Sequence, residues 1–306
     1  MTALARTQRE PDGGARRYKM AVLDVDGTLL DSTGGVSPRV RNAVLSAHDS
    51  GCLVTLASGR RLWAIRPVVR ALGISVPVVL YNGAVVYDVA REETILNFHL
   101  KEAPLHAALD LIWQRGFQPV VYGHPRSGEL VYTGPSERDS AATTHYFNRP
   151  TTQPRRLNLF GLREIQAPPL LAAMGEEAGM RGLEGAVLQA GLECATLVER
   201  QSFVPGSRWW QLDLSAQGCS KGAALRGLCS LYGIDPRETL AVGDGINDLD
   251  LIRSAGCGIA MGNAVPEVAG AAAAIVADNG HDGAAEAVER FILGQRTPIL
   301  IPPSAT

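Results

Sequence analysis

"KMAVLDVDGTLLDS", Lys19 to Ser32, is the stretch whose reading decides the fold. An apolar run, Met20 to Leu23, leads into two carboxylates two places apart, Asp24 and Asp26, and then into a glycine. An unbroken apolar run this short reads as a strand buried on both faces, the pattern of a parallel sheet covered by helices. Two acids at its end repel one another, and removing either from water is costly, so both need a neutralising partner. An Asp-Gly hairpin turn is the plain alternative, but "LLDSTGGV" does not continue as a clean return strand. A calcium loop beginning at Asp24 fails as well, because its sixth position is Leu29 rather than glycine and its twelfth is Gly35 rather than glutamate. Strand, D-x-D-G-T, loop and helix is the reading that remains.

Downstream, "CLVTLAS" and "VPVVLYNG" read as further strands, and "SPRVRNAVLSAHDSG" and "GRRLWAIRPVVRALG" as helices. Ser37 is placed to cap the first helix with Pro38 at its first position and Gly51 beyond its end, and Gly73 closes the second. The same rhythm returns late in the chain. "SKGAALRGLCSLYG", "NDLDLIRSAG", "AVPEVAGAAA" and "GAAEAVERFILG" are helical, alternating with the strands "TLAVGD", "CGIAMG" and "AIVAD". Strands alternating with helices at both ends predict an α/β fold, one doubly wound parallel-sheet domain assembled from residues 19–83 and 207–295. Residues 84–206 lack that beat and predict a smaller inserted α+β domain. Its expected hairpins are "AVVYDVAREETILNF" and "FQPVVYGHPRSGELVYTG", and its expected helices "APLHAALDLIWQRG" and "PLLAAMGEEAGM". Residues 1–18 read as a disordered tail and 296–306 as a C-terminal tail.

In such a sheet, ligands bind outside the carboxyl ends of the strands. Besides Asp24, Asp26, Gly27 and Thr28, three polar clusters fall there. Ser58-Gly59-Arg60 follows a strand and is expected to open a helix, where free N–H groups and the positive dipole end suit a phosphate; an ordinary helix cap is the alternative. Lys221, just after the expected cap Ser220, opposes the helix dipole, so it is expected to project toward something anionic rather than to be a solvated surface charge. Asp244, at a strand end before a glycine, repeats the arrangement at Asp24, and Asn247, Asp248 and Asp250 follow, where acids are also ordinary caps. Bringing Asp24, Asp26 and Asp244 together concentrates negative charge that a hard dication would neutralise, and few carboxylates with open water positions favour Mg²⁺ over Ca²⁺.

Composition excludes several classes. In 306 residues, 46% are apolar, and 29 basic against 31 acidic residues give a net charge of −2, so no global field favours nucleic acid or an anionic membrane. The five scattered cysteines form no C-x-x-C pair; they argue against a disulfide framework or thiolate zinc site and for a reducing compartment. The first seventeen residues hold no apolar segment of a signal peptide, and no run is long enough to span a membrane. A cytoplasmic protein with a small-molecule partner is expected; oligomeric state is open.

The order of these clusters resembles the haloacid dehalogenase-like (HAD) phosphohydrolases, and most of all the Cof-type branch, whose cap domain is inserted between the second and third motifs. "DVDGTLL", "ASGR", "SKGAAL" and "GDGINDLDLIRSAGCGIAMGNA" carry the likeness, with "YNGA" and "DNGHDGAAEAVE" beside them. The resemblance implies a Rossmann-like core, with Asp24 as the nucleophile that takes up the phosphoryl group and Asp26 as the general acid/base. It implies Mg²⁺ held by the Asp24 carboxylate, the Asp26 backbone carbonyl and Asp244, with Asp248 supporting. The phosphate would lie against the Val25 backbone N–H, Ser58 with Gly59, Lys221 and Asn247. The implied activity is hydrolysis of a small phosphomonoester, of the sugar phosphate, flavin or pyridoxal phosphate type, through an aspartyl-phosphate. A phosphotransferase or mutase using the same intermediate and a non-catalytic phosphate-binding protein are the alternatives. Candidates to touch the leaving group are His124, Arg126, Glu129, Tyr132, Trp209 and Trp210, with hinges near Gly83 and Pro205-Gly206.

Overall fold

Burial on both faces makes Met20–Leu23 the middle of a sheet rather than its edge. This strand, β1 (Met20–Leu23), is wholly buried and pairs in parallel on both sides. The computed structural model describes residues 18–125, 128–149, 152–200 and 208–295. After β1 come α1 (Pro38–Asp49), β2 (Leu53–Leu56), α2 (Leu62–Leu72), β3 (Val78–Leu80), β4 (Val85–Asp88) and β5 (Glu93–Asn97). The middle of the chain supplies α3 (Glu102–Gln114), β6 (Val120–Tyr122), β7 (Val131–Thr133), α4 (Ala141–Phe147), β8 (Pro154–Arg156) and α5 (Leu159–Arg163). It continues through β9 (Leu170–Gly175), α6 (Glu177–Gln189), β10 (Cys194–Arg200) and β11 (Trp210–Ala216). The chain then returns through α7 (Lys221–Tyr232), β12 (Thr239–Gly243), α8 (Leu249–Ser254), β13 (Cys257–Ala260), α9 (Pro266–Ala271), β14 (Ala274–Ile275) and α10 (Gly283–Phe291).

The parallel sheet runs β14-β13-β12-β1-β2, so strands from both ends of the chain interleave. Alternation along β1 sends Ala21 and Leu23 to one core with Val40, Val44, Ile65 and Val288 from α1, α2 and α10. Met20 and Val22 face a second core with Leu225, Leu228, Leu251 and Val268 from α7, α8 and α9. Helices on both faces make the sheet doubly wound, as expected. The caps also fall where the residues place them. Ser37 accepts a hydrogen bond from the Val40 N–H, Gly73 closes α2 in the left-handed region at φ 63°, and Ser220 accepts from the Ala223 N–H.

A six-stranded sheet, ordered β10-β11-β9-β6-β7-β8, is antiparallel apart from the β7–β8 pair. One of its faces packs Val121, Leu171, Ala173, Leu212 and Leu214 against α3 and α6. The other face carries Val120, Tyr122, Leu170, Ala172 and Met174 into the first core.

Four expectations need correction. "PLLAAMG" is not helical: it forms β9, fully buried between β11 and β6, and the helix begins only at Glu177. A short apolar run buried on both sides has no periodicity to separate strand from helix. The strand in "VPVVLYNG" stops at Leu80, and Tyr81 and Asn82 take left-handed conformations, φ 51° and 54°. The boundaries at 83/84 and 206/207 cut through paired strands. β4 pairs with β3 and β5 with β4, and β3 itself bridges the end of β2, while β11 lies between β10 and β9 in the antiparallel sheet. We propose that the inserted unit instead spans about residues 100–217. The tails at 1–17 and 296–306, and the hinge at Pro205-Gly206, lie outside the described residues.

The hinge expected near Gly83 is a point of tight packing. A Cβ there would lie 2.2 Å from the Ser220 carbonyl oxygen, and φ is +107°. Gly83→Ala is therefore expected to destabilise the protein by about 3 kcal/mol or more, read as a lower urea midpoint; an unchanged midpoint would show that the two segments separate freely.

Candidate active site

Parallel pairing of Leu23 with Val242 brings β1 and β12 to the same edge of the sheet, so Asp24 and Asp244, each near its strand's last residue, emerge together. The Asp24 N–H donates to the Val242 carbonyl at 2.9 Å. Helix α7 begins beneath them and delivers Lys221, which is completely buried. Its Nζ lies 2.6 Å from Asp24 Oδ1 and 2.6 Å from Asp248 Oδ1. The other Asp248 oxygen accepts from the backbone N–H groups of Asp244 and Gly245, both at 3.0 Å. Asp24, Asp244 and Asp248 thus form one cluster, each offering an oxygen within 4.8 Å of the others.

Close approach makes this geometry possible. A Cβ on Gly27, whose φ is +81°, would stand 2.3 Å from Asp244 Oδ2. The Thr28 hydroxyl donates to Asp244 Oδ1 at 2.9 Å, and Asn263 Nδ2 donates to Asp244 Oδ2 at 3.3 Å. The electrostatics follow from crowding in a dry place. Burial first, and Asp248 second, push the Asp24 carboxyl well above the usual range, with Lys221 pulling against them. Burial and Asp248 likewise raise Asp244 to about 7. Burial opposes the charge on Lys221, yet Asp24 and Asp248 outweigh it and hold its pKa above the ordinary lysine value.

Asp24, Asp26, Gly59, Asp244 and Asn247 line one cavity of about 230 Å³. Lys221 and Asp248 lie behind Asp24 rather than on its wall, and Val25 and Ser58 are buried beside it. The Asp26 carboxylate is held by a two-pronged pair with Arg60, at 2.7 Å from Nε and 2.6 Å from Nη2. Ser58 does not cap a helix: its hydroxyl accepts from the Arg60 N–H, and α2 starts later, with Arg61 in the cap position. The free amides expected at Ser58-Gly59 therefore belong to a loop.

The model of the haloacid dehalogenase-like hydrolase family matches residues 21–288. The chain belongs to that family. It is an enzyme of the HAD phosphatase type in the Cof-type branch, as the motif order implied. It is 27% identical to the pyridoxal phosphate phosphatase YbhA of Escherichia coli, over 90% of this chain and 99% of that one. It is 26% identical to the 5-amino-6-(5-phospho-D-ribitylamino)uracil phosphatase YcsE of Bacillus subtilis, over 90% and 96%. Among solved structures, a haloacid dehalogenase-like hydrolase from Bacteroides thetaiotaomicron superposes with a TM-score of 0.73 at 27% identity, covering 90% of this chain and 99% of that one.

In this HAD hydrolase Arg60, Arg61, Trp63, Pro67 and Tyr81 extend the cavity wall from α2 and its flanking loops, and the antiparallel unit adds Tyr122, Tyr146, Arg149, Leu170, Glu199, Gln211 and Asp213. None is among the leaving-group candidates read from the sequence. Glu129 instead caps α2, accepting from the Leu62 N–H and, at 2.7 Å, the Trp63 N–H, and its carboxylate takes the Tyr81 hydroxyl at 3.0 Å. His124 pairs with Thr94 in a separate shallow pocket. Tyr132 and Trp210 pack against the α3/α6 side, Trp209 against the first core, and Arg126 lies outside the described residues.

Asn82 is the residue that sequence reasoning missed most clearly. Its Oδ1 accepts from Asn247 Nδ2 at 3.0 Å, and its Nδ2 donates to Asp213 Oδ2 at 3.2 Å. A left-handed asparagine before a glycine in "YNGA" was the available signal, since non-glycine residues held there cluster at functional sites. Asn82→Gly keeps the backbone conformation and removes only the bridge. Its kcat/KM for a phosphomonoester is expected to fall about tenfold, the scale of one lost hydrogen bond to a catalytic-site group. Unaltered kinetics would make the bridge incidental.

Proposed function

We propose that this HAD hydrolase is a Mg²⁺-dependent phosphomonoesterase that turns over a small phosphorylated metabolite through an aspartyl-phosphate on Asp24. The observation that carries the reading is the convergence, from distant parts of the chain, of Asp24 and Asp244 on the wall of one cavity with Asp248 and Lys221 buried behind them.

The residues fit a hard dication. The available donors are carboxylate oxygens, and four carboxylates (Asp24, Asp26, Asp244 and Asp248) face two cationic side chains, Lys221 and Arg60. Asp24, Asp244 and the Asp26 backbone carbonyl would hold Mg²⁺, with Asp248 behind them, and the bound ion would compensate charge on the phosphoryl oxygens. Asp24 attacks phosphorus, forming the Asp24 Oδ–P bond as the bond to the leaving oxygen breaks. Asp26 gives that oxygen its proton, then takes one from the water that cleaves the acyl phosphate, releasing inorganic phosphate and restoring Asp24. For this role the Asp26–Arg60 pair must loosen once substrate enters. Gly59 and Asn247 line the place where the phosphoryl oxygens would lie, while Lys221 orients the nucleophile from behind.

The antiparallel unit acts as a cap in this reading, because its side chains close the cavity opposite Asp24. The named substrates of YbhA and YcsE, both small phosphate esters, support a metabolite of that size. Five free cysteines, and the lack of any helix long and apolar enough to cross a membrane among the described residues, support a cytoplasmic setting. Release of phosphate from p-nitrophenyl phosphate tests the reading. It is expected to stop when a chelator is added and to return with excess Mg²⁺; turnover that persists under chelation would refute the metal requirement.

A further inference from the structure

Two asparagines that the chemistry above leaves unused meet beside the acids: Asn263 of "AMGNA" and Asn279 of "DNGHDG". The Asn263 amide is shared. Its Nδ2 donates to the Gly27 carbonyl at 2.9 Å and to Asp244 Oδ2 at 3.3 Å. Its Oδ1 accepts from the Asn279 backbone N–H at 3.1 Å. A backbone N–H can only donate, so this contact fixes which way the amide points and turns its two hydrogens toward Gly27 and Asp244. Asn279 Nδ2 in turn donates to the Leu30 carbonyl at 2.7 Å. The turn that follows Asp26 is thus held at two of its carbonyls by residues far away in the sequence.

Backbone packing puts Asn263 there. The segment after β13 wraps round Asp244: the Met261 N–H donates to the Gly243 carbonyl at 3.1 Å, and the Val265 N–H to the Asp244 carbonyl at 3.0 Å. Gly262 lets that segment lie against the one leading to Asn279. Its N–H donates to the Ala277 carbonyl at 3.1 Å, and a Cβ there would stand 2.8 Å from the Asp278 nitrogen. The Asp244 side chain is then oriented from two directions, by the Thr28 hydroxyl at Oδ1 and the Asn263 amide at Oδ2. An ionised carboxylate has about four acceptor sites, so both oxygens can still take a cation.

A surface asparagine that merely ties two loops is the plain alternative, and Asn263 is exposed. Its choice of partners marks it out. Gly27 follows Asp26 directly, so holding the Gly27 carbonyl sets the peptide next to the Asp26 carbonyl, while Asp244 comes from the neighbouring strand. One amide therefore spans two of the three groups proposed to hold Mg²⁺. We propose that Asn263 is a positioning residue for the Mg²⁺ site, fixing the spacing between Asp244 and the turn that carries the Asp26 carbonyl before the ion binds. This rests on the phosphatase reading and adds a residue that acts through the ligands. Crowded carboxylates repel one another until a dication joins them, and the shared amide ties two of their segments together against that repulsion.

No substrate is needed to test this. Urea midpoints of the full chain are measured in chelator and across a range of Mg²⁺, and the rise with Mg²⁺ gives an apparent Kd by mass action. Asn263→Ala is expected to leave the midpoint in chelator close to wild type, as befits an exposed side chain, and to raise that Kd by about tenfold or more. Asn263→Leu, which keeps the bulk of the side chain but donates nothing, should do the same; should one variant not fold, the other decides. The Mg²⁺ needed for half-maximal hydrolysis of p-nitrophenyl phosphate should rise in step, with activity recovered at high Mg²⁺. An apparent Kd unchanged in either folded variant would overturn the positioning role, and a lower midpoint in chelator with Mg²⁺ binding intact would make the contact purely structural. A wild-type midpoint that does not respond to Mg²⁺ sinks the metal reading and this inference together; a wild type that responds, with variants that respond equally, sinks the positioning role alone.

Discussion

Asp24→Asn is expected to lower the rate of p-nitrophenyl phosphate hydrolysis by at least about 10³-fold, because an amide cannot supply the oxygen nucleophile on which the two-step route depends. The protein should still fold. Asparagine keeps the shape of the side chain and removes one member of a crowded, buried carboxylate cluster, leaving Asp248 to hold Lys221. A comparison of urea midpoints and of steady-state rates, on one preparation each of wild type and variant, separates the two effects. Near-native activity in a folded Asp24→Asn protein would remove Asp24 from the chemistry.

The second large effect concerns stability. Lys221→Met deletes the buried cation between Asp24 and Asp248, both 2.6 Å from its nitrogen, and leaves the two acids facing each other without it. Breaking a buried pair by removing one partner typically costs about 3–5 kcal/mol. The loss should be smaller in millimolar Mg²⁺ than in chelator, because a dication bound only by the folded state stabilises it by mass action. Denaturant midpoints measured with and without Mg²⁺ test both statements. A variant as stable as wild type in chelator would show that Lys221 is not what balances these carboxylates.

The parallel core was legible because its signals are local and agree with one another. Short apolar runs, Ser37 and Ser220 before helices, and Gly73 after one each specify an element without reference to the rest of the chain. Asp24 and Asp244 were legible for the same reason: each follows a buried strand and precedes a tight turn, at Gly27 and Gly245. The antiparallel unit was harder. The run at Leu170–Gly175 is buried on both faces, so neither a two-residue nor a 3.6-residue period marks it. Misreading it as helix removed the strand that joins β6 to β11, and with it the face on which Tyr122, Gln211 and Asp213 meet. Glu129 was singled out as a substrate contact, yet its partners, the first amides of α2 and the Tyr81 hydroxyl, are distant in sequence, and no local pattern announces them. Arg60 stood in view as part of "SGR", but its pairing with Asp26 depends on how β1 and β2 align.

The most direct measurement is to trap the phosphorylated enzyme. Asp26→Asn should slow the water step more than the first step when the leaving group, as with p-nitrophenolate, departs without a proton. Rapid acid quench during turnover of that variant, followed by peptide mass analysis, should then show one added phosphoryl group on the peptide containing Asp24 and none on peptides carrying Asp244 or Asp248. A phosphoryl group found on another residue, or none while a burst of p-nitrophenol is released, would contradict nucleophilic catalysis by Asp24.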